Sequence, residues 1–295
     1  SAGAAALGRR LPRRGAAAAA AALMLLLATM TWRHARMFHD QVTLWRDNLA
    51  KYPGVWVVRV NLGIALAQQG QDAEARELFR EVIRVAPHDP RARWNLADSY
   101  RRHGQLAEAE AHYIEVLKLV PGDGETLMYL GEIQSAQQRH GEAEASYAGA
   151  ARAWPWSSVA RHHRAEALLR LGRWEEARAD FEEALKLEPD NPDLMNDIAW
   201  KLATHPDGRF RDGPRAIQLA DRACKLTRYA HAPYMDTLAA AYAEVGRFPE
   251  ARQIAQRAMD LAADPSLSAS IRRRLAGYQQ AQPYRSEAWQ AISRE

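Results

Sequence analysis

The sequence repeats itself every 34 residues, and that period restricts the chain to a stacked architecture. Counted from Trp56, the eighth position is small in four successive repeats: Gly63, Ala97, Gly131 and Ala165. The twentieth is always alanine (Ala75, Ala109, Ala143, Ala177) and the twenty-fourth always aromatic (Phe79, Tyr113, Tyr147, Phe181). The thirty-second is always proline (Pro87, Pro121, Pro155, Pro189). A segment this short cannot bury an apolar face alone, so each repeat must cover its neighbour. Composition agrees. Apolar residues make up 47% of the chain, but many are alanines, which suit thin layers better than one large core.

Each position has a physical reading. A residue no larger than alanine lets two helices cross closely, and close packing offsets the helix propensity that a mid-helix glycine sacrifices. The aromatic residues fill the space between successive repeats. Gly70, Gly104 and Gly172 suit the turn between the two helices of a repeat, and the prolines cannot continue the second helix. In the third repeat Gln138 takes the turn position, which predicts a turn that is more strained or slightly longer.

This pattern resembles the tetratricopeptide repeat. The resemblance implies an all-α fold, a right-handed superhelical solenoid of helix hairpins. Its repeats are 56–89, 90–123, 124–157, 158–191, 192–231 and 232–265. The fifth has a longer connection, "THPDGRFRDGP", which belongs in a surface loop. The sixth lacks the aromatic, with Ala255 in its place. Residues 37–55 read as a capping half-repeat, and 266–295 as a capping helix and tail.

Residues 1–36 differ from the rest. Residues 1–39 hold six arginines and no acid, so the net charge of +4 becomes +4 − 6 = −2 for the remainder. A near-neutral repeat region predicts no nucleic-acid partner. Ala16–Trp32 carries no charge and is bracketed by arginines. It reads as a transmembrane helix, with a cleaved signal peptide and a buried soluble helix as alternatives. Four arginines before it and two after place the repeats on the extracytoplasmic, periplasmic side of a membrane, anchored through the N-terminal helix.

Reactive constellations are not evident. The "RHHR" cluster places His162 and Glu166 on one helix face, but two ligands do not make a metal site and the zinc-protease spacing is absent. No catalytic residue, metal site or cofactor is expected. Cys224 reads as space-filling.

The resemblance also implies a protein or peptide ligand held in a concave groove lined by the first helix of each repeat. The groove positions are Asn61 in the first repeat and Arg91, Asn95, Asp98 and Arg102 in the second. They continue with Glu125, Tyr129 and Glu132 in the third, and His162, His163 and Glu166 in the fourth. Asn61 and Asn95 could bond a ligand backbone from both sides of the amide. The family's carboxylate clamp needs cations where this chain has Glu125 and Tyr129. Over the whole chain, the hydrophobic segment, "FHDQVTLWRDNLAKYP", the repeats and the closing "PYR" resemble the C-terminal part of bacterial membrane proteins similar to transmembrane and tetratricopeptide-repeat O-mannosyltransferases. That resemblance implies an alternative role as the acceptor-recruiting accessory domain of a glycosyltransferase, with its catalytic half elsewhere.

Overall fold

Residues 22–29 and 40–287 are described by the computed structural model, and among them every regular element is helical. Residues 22–29 form a short helical stretch, α1, with all its side chains exposed. The predicted hydrophobic helix therefore lies largely outside the described residues. Among those described, no helix is long and apolar enough to cross a membrane.

The chain divides after Val120 into two bodies. The N-terminal body contains α2 (Gln41–Lys51), α3 (Trp56–Gln68), α4 (Asp72–Val85), α5 (Pro90–Arg102) and α6 (Leu106–Leu119). The C-terminal body continues with α7 (Gly124–Ala136), α8 (His140–Ala153), α9 (Ser158–Arg170), α10 (Trp174–Leu187) and α11 (Pro192–Thr204). It is completed by α12 (Gly213–Leu226), α13 (Ala232–Glu244), α14 (Phe248–Leu261) and α15 (Pro265–Gln279). Within each body consecutive helices pack on one another as a helical solenoid.

Local chemistry explains the boundaries. The side chains of Asp89, Asp123, Ser157 and Asn191 each accept a hydrogen bond from a first-turn amide, starting α5, α7, α9 and α11. The first helix of a repeat ends through a left-handed residue: Gly70, Gly104, Gly172 and Gly246 have φ of 72–76°. The next amide then reaches back five residues, as Gln71 N–H does to Leu66 O at 2.9 Å. Gln138 adopts φ 61° and Arg139 N–H bonds Gln134 O at 2.8 Å, so this turn keeps the common length and carries only the strain.

The aromatic position acts first within its own repeat. A Cβ added at Gly63 would lie 2.5 Å from Cε1 of Phe79, and one at Gly131 would lie 2.6 Å from Cε1 of Tyr147. Both rings are almost wholly buried and have nowhere to retreat. The rings also reach forward, Tyr147 stacking on His163 at 5.4 Å and Phe181 lying 6.3 Å from Phe210.

Two segments of the C-terminal body pack more tightly than the repeat template implies. The fifth-repeat insertion, residues 205–212, reaches the surface at Gly208 and Arg209 but is anchored by Phe210, fully buried against Trp174, His205 and Phe181. Arg178 donates to the carbonyls of Arg209 and Phe210 and holds the loop inward. An aromatic residue in the loop supplied apolar area that the repeat template did not anticipate. The segment after α15 is likewise docked through residue 287. Ser286 N–H bonds Thr204 O at 2.9 Å, Tyr284 packs 5.6 Å from Trp200, and Arg285 pairs with Glu244 at 2.7 Å.

Gly63→Ala is expected to destabilise the protein by about 1–3 kcal/mol in urea titration, because overpacking against Phe79 outweighs the gain in helix propensity. Gln138→Gly should do the opposite, raising stability by about 1 kcal/mol by relieving the left-handed strain.

Candidate functional site

The first helices of the third, fourth and fifth repeats, α7, α9 and α11, share one face of the C-terminal body and enclose a depression of about 700 Å³. Glu132 and Ser135 contribute from α7, His163 and Glu166 from α9, and Trp200 and Lys201 from α11. The docked tail adds Ser286 to the wall.

An ion cluster forms the floor. The Nζ of Lys201 lies 3.1 Å from Glu166 and also pairs with Asp197, four residues earlier on the same helix. His162 Nε2 stands 3.2 Å from Asp197 and 3.7 Å from Glu166, while His163 Nδ1 stands 3.3 Å from the other Glu166 oxygen. Burial opposes ionisation of Glu166, but the hydrogen bond with His163 and the charge of Lys201 outweigh it and hold the carboxyl below its usual range. The pKa of His162 is also lowered, chiefly by burial against Phe181, with the Lys201 charge adding to it, and this favours the neutral ring. Burial raises the Tyr147 phenol to about 12, so its ring is a neutral wall stacked on His163.

The donor atoms of His162, Glu166 and Asp197 lie within 4.8 Å of one another, a spacing that suits a metal ion. Lys201 already supplies positive charge to both carboxylates, and a divalent ion would have to displace a side chain that is only 5% exposed. Cys224 is fully buried, and burial raises its thiol to about 12, which leaves it an inert packing group.

The groove residues read from the sequence fall in different places. Glu132, His163 and Glu166 line the depression, with His162 just beneath. Glu125 is exposed and Tyr129 half-buried on α7, and neither lines it. Asn61, Arg91, Asn95, Asp98 and Arg102 belong to the N-terminal body. There Asn95 donates one amide hydrogen to Arg91 O at 2.8 Å, so that donor is spent on its own helix rather than free for a ligand. Arg91 pairs with Asp89 and lies 5.0 Å over the Trp56 ring, and Asp98 is bracketed by Arg101 and Arg102. Asp197 and Trp200 occupy sixth and ninth positions of the fifth repeat, so the spacing used for earlier repeats could have identified them. Lys201 and Ser286 had no such signal.

Behind Trp200 lies the support of the site. The Arg274 guanidinium sits 5.3 Å over Trp200 and 5.4 Å over Tyr284, and forms a bidentate pair with Asp236 at 3.0 and 2.5 Å. Asp236 is 4% exposed, and losing one partner of such a pair costs about 3–5 kcal/mol.

His140, His162 and His205 in this body all have pKa values lowered mainly by burial. A group depressed in the folded state binds its proton more readily when unfolded, so acidification through the ordinary value of 6.5 favours unfolding. The urea midpoint should therefore fall between pH 7.5 and pH 5.5 with an unchanged slope.

Models of the tetratricopeptide repeat match residues 47–90, 60–123 and 95–157, then 159–191, then 234–263, together more than half of the chain. The fifth repeat, with its insertion anchored by Phe210, lies in the gap between the last two ranges. No curated protein matches the chain. Solved structures do. YrrB, described as a TPR protein with an unusual peptide-binding site, aligns with TM-score 0.55 and 18% identity over 67% of this chain and 99% of its own. Pseudomonas aeruginosa pilF aligns with TM-score 0.56 and 17% identity over 74% and 96%. A MamA RS-1 double mutant aligns with TM-score 0.52 and 17% identity over 64% and 96%. At these identities the likeness is one of fold.

Proposed function

This chain belongs to the tetratricopeptide repeat family, and we propose that it is a scaffold that holds a protein or peptide partner and catalyses nothing itself. The observation that carries this reading is the depression on the first-helix face of the C-terminal body. It combines aromatic walls, exposed polar groups at the rim and a rigid charged floor, the mixture that orients a polypeptide rather than a reacting bond. The likeness to YrrB, whose description names a peptide-binding site, supports the same class of ligand.

The tether is a further part of the proposal. Leu23, Met24, Leu25, Leu26 and Leu27 are each more than half exposed, an apolar surface that water does not favour. With the flanking arginines, this supports attachment to a membrane through the N-terminal segment, with the repeats on its periplasmic side. A second reading makes the chain the acceptor-recruiting part of an O-mannosyltransferase-like enzyme. It draws on the docked "PYR" tail, whose Tyr284 and Arg285 are built into the body. Glycosyl transfer activity co-purifying with the chain from its native membrane would distinguish it.

A display selection of random 12-residue peptides on the full chain tests the scaffold. Ala136 is exposed at the wall of the depression, and Ala145 is exposed away from it. Ala136→Trp should weaken the selected peptides about ten-fold or more, and Ala145→Trp should leave them unchanged. Equal effects of the two variants would sink the reading.

A further inference from the structure

We propose that the depression in the C-terminal body receives a lysine or arginine side chain of the partner segment, with Glu132 as its counter-charge; this rests on the scaffold reading above. Three observations converge. The first is the state of Glu132 itself. It is exposed on the α7 wall, and among the described residues no cation is paired with it.

The second is the occupation of the cations nearby. Lys201 is held by both Glu166 and Asp197, and Arg170 lies within electrostatic reach of Glu166. His163 is also committed to Glu166. Of the charged side chains that line the depression, Lys201 and Arg170 both face Glu166, Lys201 is also held by Asp197 beneath, and Glu132 alone has no charged partner among the described residues. An anionic ligand group would meet the open carboxylate of Glu132. An apolar one would strip water from it without compensation. A cation meets neither penalty.

The third is the wall chemistry. Trp200 lines the depression and is half-buried, and an indole face attracts cations. The same Trp200 ring already carries one guanidinium, that of Arg274 at 5.3 Å, which holds the indole in place as a platform. An indole beside an unpaired carboxylate forms the environment in which an ammonium or guanidinium keeps its charge while its alkyl stem is covered.

Selection of random 12-residue peptides on the full chain tests this as well. Peptides blocked by Ala136→Trp should share a lysine or arginine at one position, and replacing it by norleucine should weaken them about ten-fold. Glu132→Gln should weaken the parent peptides by a similar factor and leave the norleucine versions unaffected. Glu132→Lys should remove the basic preference. Because Glu132 is exposed, an unchanged thermal midpoint in both variants verifies folding. Peptides that Ala136→Trp blocks but that share no basic residue, or that bind Glu132→Gln within about two-fold of the parent, would overturn the cation assignment and leave the scaffold standing. If Ala136→Trp blocks no selected peptide, the scaffold reading falls and the assignment falls with it.

Discussion

An aromatic ring resting on a residue with little or no side chain is the contact on which the stack depends. Phe79 on Gly63 and Tyr147 on Gly131 leave no room for one more carbon. This closeness sets the separation of the two helices in a repeat, and the same ring then presents a surface to the next repeat, as Tyr147 does to His163. Close packing makes up for the poor helix propensity of glycine, because a buried ring gains dispersion contacts from a bare backbone. The first helices are thereby held at a spacing that lets α7, α9 and α11 share one face.

In the C-terminal body a second kind of contact completes the structure where the repeat pattern weakens. The sixth repeat has Ala255 where its predecessors have a ring, and Tyr278 of the capping helix enters the same core fully buried. Arg274, from that capping helix, ties Asp236, Trp200 and Tyr284 together. Glu244 similarly joins Arg211 of the insertion to Arg285 of the tail at 2.8 and 2.7 Å. Insertion and tail are therefore parts of one assembly. Their docking keeps Trp200 and Ser286 in fixed positions at the wall of the depression.

The floor of the depression illustrates how burial and charge are reconciled. Lys201 is nearly inaccessible, and an isolated ammonium in that position would be strongly disfavoured. Two carboxylates compensate for it, and two histidines arrange those carboxylates. The floor is rigid because each member has a charged or hydrogen-bonded neighbour, while the exposed rim retains the freedom to select a partner.

The 34-residue pattern, with the family it resembles, made the all-α class, the paired helices and the turns legible, because these depend on short-range sterics and on left-handed or proline-restricted backbone. The seating of each ring on the small residue of its own repeat came from the tertiary structure. At Gln138 the sequence allowed a strained turn or a longer one, and the structure has the strained one. The site was legible only in part. Template positions indicated Glu132, His163 and Glu166 but said nothing of Lys201, whose importance comes from Asp197 and from a carboxylate on a different helix. The buried Phe210 and the docked Tyr284–Ser286 segment were invisible for the same reason. Their partners are distant in sequence, and which distant side chains meet is settled by packing in three dimensions.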